Sequence, residues 1–508
     1  MPEVFPLLAA FVLTPVIGML VVAFVPSREG GLLKTIGWVI PAVAFVFAAY
    51  AYAHFNIQSA EPQMKASWPL FSFTFPLYDP SINAFTFTDV SVPVALAVDG
   101  LSLPLVLMTA LVTFMSALAV QSETRRLKAF FLFLFLLSVG MNGVFLAQNL
   151  IVFFVFFELT LVALYFLTAI FGGFGREKAA TAFLVMNGLG SLVMLFVFVV
   201  LFQLTGTWEM RGIAEKLPLA AIDPTLKRTL FWLLVIALGV KLPIFPLHTW
   251  MLKVHREAPP AVVMLHSGVL LKIGAYGLIR FVLGFFPDLM PQYAPALALL
   301  GLVNLLYGGF AAFVQPDLRR VFAYASLSHM GIVLFGVAAL NTYGLMGAVF
   351  QMVSHGLISA LLFLLLGMIE RRTGTSRIDE LGGLARVMPT IAGMLLFAAL
   401  ANLGLPALSG FIAEFQAFLG LFLSPSWPIA ACGLVGLGIS AAYMLRAVLR
   451  TTFGPLGAEH AEVSDARPLE VVPMFVLAAA IILIGVYPNV LAVPLQATLY
   501  DVLGRIGG

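Results

Sequence analysis

The feature that most constrains this chain is a succession of long apolar segments, joined by short polar connections along its whole length. A helix needs about 20 consecutive apolar residues to cross the hydrocarbon core of a bilayer. The segments are apolar on all sides, as helices buried in a membrane are. We therefore predict an all-α polytopic membrane protein, and 508 residues allow about 14 transmembrane helices. The predicted spans are 4–25, 33–54, 99–120, 129–147, 150–171, 180–203, 228–247, 260–283, 293–313, 321–341, 343–369, 388–420, 427–449 and 471–494.

Composition excludes several classes of protein. Only 10% of the residues are charged, and the mean hydropathy is +1.05, whereas soluble domains carry about 25% charged residues. The formal net charge of +3 is a sum over loops and gives no indication of nucleic-acid binding. The first segment lacks a basic region and a small-residue cleavage site, so we expect a retained helix. The single cysteine, Cys432, is expected to be a small core residue, and one thiol cannot hold an iron–sulfur cluster, which needs about four ligands.

Lysine and arginine determine the predicted orientation. They concentrate in the connections after the odd-numbered spans, whereas the other side holds few, Arg280 among them. Because cytoplasmic loops are enriched in lysine and arginine, we place the odd-numbered connections in the cytoplasm. With an even number of spans, both termini then lie on the outer side.

Two segments between the spans carry their own patterns. Within Asn56–Leu96, the runs FSFTF and AFTFTDV alternate with period two and are separated by Pro76, Asp79 and Pro80. This pattern predicts a small β-hairpin, which would be either a docking element for a neighbour or a structural cap. The segment Thr205–Arg228 has apolar residues at helical spacing beside charged ones, which predicts a short helix on the membrane surface.

The stretch Leu238–Gly277 combines buried charge with helix-breaking residues. An apolar helix leads to Lys241 and is followed at once by Pro243 and Pro246. Proline removes a backbone donor and clashes with the preceding turn, so we expect the helix to break there. A broken helix inside a membrane is tolerated only where it is buried in protein or lines a cavity. A lysine beside such a break therefore indicates an ion or proton pathway.

A second interrupted run begins at Ala401, where Gly404, Pro406 and Gly410 precede Glu414. Interrupted helices in corresponding positions of two halves point to an inverted repeat with a site near the middle of the membrane. The predicted divisions are 1–128 (helices one to three with the hairpin loop), 129–283 (first repeat, helices four to eight), 293–450 (second inverted repeat, helices nine to thirteen) and 471–508 (helix fourteen and the tail).

Four ionisable residues lie inside predicted spans, far from any loop: Glu158, Lys241, Lys272 and Glu414. A charge at membrane depth costs roughly 2.5–3.5 kcal/mol even on the lenient insertion scale, so function is the default hypothesis. We predict that Glu158 pairs with Lys241, because a nearby carboxylate keeps the ammonium charged and its withdrawal releases the proton. Lys272, which shares a helix face with Tyr276, would be the next carrier, and Glu414 the last. The alternative is that these charges only lock helices together.

Histidines extend the predicted relay. His329 and His355 lie in apolar helices with serines nearby, and imidazole suits proton passage at neutral pH. The alternative is that both are hydrogen-bonded core groups. His248 and His266 are additional relay candidates, whereas His255 is expected to face water in its loop. No spacing of histidine or cysteine indicates a metal site, and no nucleotide-binding motif is present.

A set of motifs covers nearly the whole chain. The motifs are DGLSLP at Asp99–Pro104, FFELTLVALYF, GVKLPIFPLHTW, APP, LLKIGAYGLIR, QPDLRRVFAYASLSHMG at Gln315–Gly331 and SGFIAEF at Ser409–Phe415. Together they resemble the antiporter-like subunits of respiratory complex I, a family shared with Mrp sodium/proton antiporters and membrane-bound hydrogenases. Glu414 stands where other antiporter-like subunits usually have lysine. In this the chain resembles the M-type subunit of bacterial NADH:quinone oxidoreductase, the counterpart of mitochondrial subunit four.

The resemblance implies a fold of about 14 helices with two inverted five-helix repeats, each containing a broken helix. The protonatable residues that it implies are Glu158, Lys241, Lys272, His329, His355 and Glu414.

The implied function is proton translocation across the bacterial cytoplasmic membrane by a non-redox subunit of the quinone oxidoreductase. Quinone reduction elsewhere would drive the relay. The expected partners are the lipid bilayer and the other membrane-arm subunits, including neighbouring antiporter-like ones. Flavin, iron–sulfur clusters and quinone are expected in partner subunits, and no cofactor in this chain. The alternatives are an Mrp-type antiporter subunit, a membrane-bound hydrogenase subunit and a structural anchor for a redox arm.

Overall fold

The computed structural model describes residues 7–79, 84–120, 126–220 and 222–506. These residues form α-helices and one two-stranded sheet. The helices are α1 (Leu7–Phe24), α2 (Gly30–Ala53), α3 (Ser102–Ala119), α4 (Leu127–Leu146), α5 (Leu150–Phe171), α6 (Arg176–Thr205), α7 (Met210–Lys216), α8 (Pro224–Lys241), α9 (Thr249–Glu257), α10 (Pro260–Leu283), α11 (Met290–Phe313), α12 (Leu318–Ala338), α13 (Thr342–Thr373), α14 (Pro389–Asn402), α15 (Ser409–Phe422), α16 (Trp427–Thr452), α17 (Pro468–Val486) and α18 (Asn489–Gly504). The strands are β1 (Gln63–Asp79) and β2 (Ala84–Val98).

The predicted all-α membrane fold is confirmed. Within the described chain, 12 helices are long and apolar enough to cross a membrane, and each coincides with a predicted span. The other two predicted spans, 228–247 and 388–420, fall on the interrupted pairs α8–α9 and α14–α15. The last predicted span was drawn too long, since α17 ends at Val486 and a separate helix, α18, follows Pro488.

The predicted hairpin is present but longer than expected. Its strands pair antiparallel, from Gln63 opposite Val98 to Asp79 opposite Ala84. Pro76 was predicted to lie in the turn and instead pairs with Phe87 inside the ladder. In a two-stranded sheet both strands are edges, and an edge strand tolerates a proline whose missing N–H faces outward. Pro80 lies outside the described residues.

The short helix predicted within Thr205–Arg228 is α7. The side chain of Arg211 at its start contacts Glu61, next to the hairpin, and Glu215 one turn on. The Glu61 contact joins α7 to the connection that follows α2, on the hairpin side of the protein, whereas Glu215 belongs to α7 itself.

The most enclosed helices are α10, α12 and α13. Their apolar stretches are 100%, 94% and 100% buried, whereas that of α2 is only 28% buried. Helices such as α2 and α16 therefore form the periphery, where exposed apolar side chains suit contact with lipid. Cys432, predicted to lie in the core, is exposed on α16.

The first helix break lies between Lys241, the last residue of α8, and the start of α9. Asn304 on α11 satisfies the backbone that the break leaves unpaired. Its side-chain oxygen accepts from the Phe245 N–H at 2.7 Å, and its amide donates to the Pro243 carbonyl at 3.3 Å. Because buried backbone groups need partners, this fully buried asparagine stabilises the non-helical segment that follows Lys241.

The second break, between α14 and α15, depends on glycine. Gly404 has φ +76°, and a Cβ there would lie 2.6 Å from Oε2 of Glu414. Gly485 on α17 lets the segment pack closely, since a Cβ at that position would lie 2.3 Å from the Ala407 carbonyl oxygen. The break therefore brings Glu414 directly against the backbone of the interrupted helix.

We expect Asn304→Ala to destabilise the protein by about 1–3 kcal/mol, because it leaves the buried Phe245 N–H and Pro243 carbonyl unpaired. The measurement is thermal denaturation of the detergent-purified chain. Asn489→Ala, at an exposed position, is the matched control and should change stability by less than about 0.5 kcal/mol. Equal melting temperatures for the two variants would contradict this role of Asn304.

Candidate functional site

Lys241 is the last residue of α8 and is only 1% exposed. Its ammonium donates to the Thr160 hydroxyl at 3.3 Å. The ammonium also lies over the rings of Phe157 and Phe183, at 4.6 and 5.6 Å from their centroids. A cation at the C-terminal end of a helix is favoured by the helix dipole, and aromatic faces add cation–π attraction. The break after α8 thus creates a buried place for a charged lysine.

Glu158 does not form the predicted ion pair with Lys241. Among the described residues, no carboxylate oxygen of Glu158 lies within 4.0 Å of that ammonium, and its buried Oε1 has no hydrogen-bond partner. The reason is the helix period. Thr160, two positions further along α5, faces Lys241, and residues two apart on a helix do not share a face.

Lys272 lies at the middle of α10 and is fully buried. It donates to the Ser267 carbonyl, and its Nζ is 2.8 Å from Nδ1 of His355. The segment His266–Leu270 is a π-helical turn, a form that is frequent at functional sites and frees backbone groups. Tyr276, predicted to share a helix face with Lys272, has its hydroxyl on Arg280 instead, accepting from Nε of that arginine at 3.1 Å.

The second half of the site connects His355, His329 and Glu414. The two imidazole centroids are 5.4 Å apart, and Nδ1 of His329 is 3.4 Å from Oε1 of Glu414. The same Nδ1 is 3.1 Å from the Gln351 amide nitrogen, and Nε2 is 3.1 Å from Oδ1 of Asn402. The structure therefore brings four predicted residues, Lys272 included, into one buried row from α10 through α13 and α12 to α15.

His266 lies on α10 with Lys272 and is only 1% exposed. Its ring packs edge-on against Trp250 and His255, with centroids 5.4 and 4.8 Å away, and neither ring nitrogen has a hydrogen-bond partner in the described chain. These unpartnered nitrogens suit a group that exchanges protons with its surroundings. His266 therefore stays a candidate carrier between Lys241 and Lys272.

Two histidines lie in other surroundings than expected. His255 was expected to face water, but it is 0% exposed, because α9 turns its ring onto His266 and Phe363. His248 is buried between the rings of Phe245 and Tyr307. In the described part of the chain neither of its ring nitrogens has a hydrogen-bond partner, so the structure does not bring His248 into the row.

Sequence reasoning missed the polar groups that orient the row. Thr160, Gln351 and Asn402 hold the charged or imidazole groups, yet nothing in their sequence positions distinguishes them from ordinary helix residues. It counted Arg280 with the basic residues of the outer side and did not predict that this residue of α10 pairs with the buried Asp99. The motif DGLSLP, which begins at Asp99, was the sequence feature that could have drawn attention to this pair.

The chemistry of the row is that of proton transfer. Lysine, imidazole and carboxylate each take and give a proton, and most neighbouring groups are within hydrogen-bonding distance. Among the described residues there is no group of three or more histidine, cysteine or acidic side chains that could hold a metal ion.

Comparisons with known proteins give a consistent assignment. Residues 147–440 match the family described as NADH:quinone oxidoreductase/Mrp antiporter, transmembrane. The chain is 37% identical to NAD(P)H-quinone oxidoreductase chain 4 of Gloeobacter violaceus, over 100% of this chain and 94% of the relative. It is also 37% identical to a chain 4 of Thermosynechococcus vestitus, over 96% of this chain and 90% of the relative.

Solved structures share the fold. A chain of respiratory complex I from Thermus thermophilus with bound NADH superposes with TM-score 0.84 at 28% identity, covering 99% of this chain and 100% of that one. A chain of an archaeal membrane-bound sulfane sulfur reductase superposes with TM-score 0.83 at 26% identity, covering 96% of this chain and 77% of that one. A chain of the Mrp complex from Dietzia superposes with TM-score 0.81 at 21% identity, covering 99% of this chain and 100% of that one. This match shows likeness of fold alone.

Proposed function

Because the chain belongs to the family of NADH:quinone oxidoreductase and Mrp antiporter membrane subunits, we propose that its buried row of lysine, histidine and glutamate residues carries protons across the membrane. The chain is a proton-translocating membrane subunit of complex I, and it lies among other membrane-arm subunits, antiporter-like ones included. The complex is an oxidoreductase. This chain's own share in it would be translocation, driven by quinone reduction elsewhere, with flavin, iron–sulfur clusters and quinone held by partner subunits.

One observation carries the proposal: Lys272, His355, His329 and Glu414 form a row of buried protonatable groups across three helix boundaries. The separations are 2.8 Å from lysine to imidazole and 3.4 Å from imidazole to carboxylate, with the two imidazoles adjacent. Burying so many ionisable groups is costly in a membrane, and such groups mark ion and proton pathways. A proton that leaves Lys272 reaches Glu414 through two histidines, each of which takes a proton on one nitrogen and gives one from the other.

Glu158 and Lys241 would act as the switch at the other end of the row. In the present arrangement Lys241 donates to Thr160, and the carboxylate of Glu158 is unpartnered at one oxygen. An approach of Glu158 to Lys241 would hold the proton on the ammonium, and its withdrawal would release the proton. His266 would pass it to Lys272. This assignment makes Glu158 the residue through which a neighbouring subunit acts.

The architecture that we propose for this function has two inverted repeats, 129–283 and 293–450, and the row passes from Lys272 in the first to Glu414 in the second. Each would contribute one interrupted helix pair, α8–α9 to Lys241 and α14–α15 to Glu414. The segment 1–128, with the hairpin, and the segment 471–508 would complete the subunit in the bacterial cytoplasmic membrane. Both termini would be on the outer side.

The composition of the native complex tests the assignment. We expect the tagged chain, extracted in mild detergent, to co-purify with NADH-oxidising, flavin and iron–sulfur subunits. Recovery with only small hydrophobic antiporter subunits, together with sodium-dependent transport in vesicles without an electron donor, would favour an Mrp-type exchanger. Recovery with a nickel–iron enzyme would favour a hydrogenase.

A further inference from the structure

A second cluster of charges lies outside the row, on the hairpin side of the protein. It surrounds a cavity of about 90 Å³ between the hairpin connection, α7, α10 and α18. Three acid–base pairs line this cavity: Glu61–Arg211, Asp99–Arg280 and Asp501–Arg505. A space enclosed by paired charges is suited to water and protons, and unsuited to an apolar ligand. We call this cavity the vestibule.

The three pairs differ in depth. In the Glu61–Arg211 pair both side chains are more than half exposed, whereas Asp99 is only 3% and Arg280 only 17% exposed. The Asp99–Arg280 pair is thus the floor of the vestibule, and the other two pairs are its rim. Exposed pairs contribute little to stability, but a buried pair is held tightly, because separating its members leaves a charge without a partner.

Asp99 is fixed independently of its arginine. Its Oδ1 accepts from the Leu101 and Ser102 N–H groups at 3.1 and 2.9 Å, which anchors the carboxylate at the start of α3. Its Oδ2 contacts Arg280. The pair can therefore open by movement of the arginine alone, and the carboxylate would stay in place.

Arg280 connects the floor of the vestibule to the interior. Its Nε donates to the Tyr276 hydroxyl at 3.1 Å, and its guanidinium lies 5.2 Å from the centroid of that ring. Lys272, Tyr276 and Arg280 follow one another at four-residue spacing, so they share one face of α10. Arg280 lies in a second π-helical segment, Leu278–Leu283, and such segments are frequent at functional sites.

We propose that the Asp99–Arg280 pair, with Tyr276 beneath it, is a gate between Lys272 and the vestibule. In the closed state, which the structure shows, the arginine occupies the outer oxygen of Asp99. When the pair separates, the Lys272 ammonium, which in the structure contacts the Ser267 carbonyl and His355, would swing towards Tyr276 and give a proton to its oxygen as the tyrosine releases its own proton towards the vestibule. Water in the vestibule takes that proton, and the Asp99 carboxylate closes the gate again by holding Arg280. Arg280 stays charged throughout.

This gate rests on the proposed function, because it supplies a hairpin-side exit for the proton on Lys272. The gate also adds a second route to the proposed function, since the row leads from Lys272 through His355 to Glu414 and does not pass Arg280. The arrangement assigns Asp99, Arg280 and Tyr276 a role that depends on their position between a buried proton carrier and the vestibule. A pair that only locked α3 to α10 would need neither the cavity nor the tyrosine.

The test uses Asp99→Asn in the assembled complex, reconstituted into vesicles. Asparagine keeps the Oδ1 acceptor for the Leu101 and Ser102 N–H groups and removes the charge that holds Arg280. We expect passive proton leak in the absence of NADH to rise on the order of tenfold, with NADH oxidation retained and the pH gradient reduced. The matched control is Asp288→Asn, which removes the charge from the Lys227–Asp288 pair outside the vestibule and should leave the leak unchanged.

The second variant is Tyr276→Phe, which keeps the ring beneath Arg280 and removes only the hydroxyl. We expect protons pumped per NADH to fall several-fold even if Asp99→Asn assembles poorly, because the step from Lys272 would lose its intermediate oxygen. Wild-type leak in Asp99→Asn, or wild-type pumping in Tyr276→Phe, would overturn the gate. If Lys272→Met stopped pumping while both of these variants behaved as wild type, the gate would be wrong and the relay would stand. Normal pumping by Lys272→Met would instead refute the relay.

Discussion

Replacing Lys272 with methionine should stop proton transfer through this chain while the complex remains assembled. Methionine fills a similar volume but holds no proton, so transfer along the row should fall by about two orders of magnitude or more, the range that a positioned proton-transfer group contributes. Assembly should be kept, because replacing a buried charge with an apolar side chain of similar size is often neutral or stabilising. The measurement is the number of protons pumped per NADH oxidised by the reconstituted complex.

Lys272→Arg separates proton carriage from simple charge. Arginine keeps the positive charge beside His355 and the Ser267 carbonyl, yet it stays protonated in proteins and cannot release its proton. We expect it to pump as poorly as the methionine variant. A lysine that only locks α10 to α13 would tolerate arginine, so wild-type pumping by Lys272→Arg would contradict the relay. The matched control is Lys178→Met, at an exposed position in the first turn of α6, which should pump as the wild type does.

Replacing Glu414 with glutamine should block the other end of the row. Glutamine has nearly the same shape, so the contact with His329 and the packing against Gly404 should persist. It carries no exchangeable acid proton, however, and we expect transfer through the row to fall by about two orders of magnitude. Protons pumped per NADH should fall by the share that passes along the row to Glu414, and the purified complex should melt at the wild-type temperature.

Two further variants define the role of Glu414. Glu414→Asp restores an acid on a shorter side chain and should recover part of the pumping. Glu459→Gln makes the same chemical change at a side chain that is 68% exposed and should have no effect. If Glu414→Gln pumped normally, the row would have to end at His329, and the proposed direction of transfer would be wrong.

Much of the fold was predictable because membrane helices obey simple rules. A span must be long and apolar, and proline or glycine inside a span must be compensated by neighbouring groups. Those rules located the spans and both interruptions, at Pro243 and Gly404. They could not show what compensates each break. Asn304 fills that role for the first break, and only the packing of α11 against the break reveals it.

The candidate site was predictable in identity but not in pairing. Four ionisable residues and two histidines stood out because charge inside an apolar span is costly. Which face of α5 points at Lys241 depends on how the helices pack, and that choice gives Thr160 the contact expected of Glu158. Because contacts depend on how the helices pack, the sequence also could not predict the surroundings of His255 and Arg280. Each lies near a helix end in the sequence, and each is buried by an element distant in the chain.

The most direct test of the central claim is the proton-to-electron ratio of the complex that carries Lys241→Ala. The assembled complex is reconstituted into sealed vesicles, and NADH oxidation and proton uptake are recorded in the same sample. The relay predicts a lower number of protons per NADH, because the buried switch beside Thr160 is lost. A ratio equal to that of the wild-type complex would contradict the relay and leave this chain as a structural anchor.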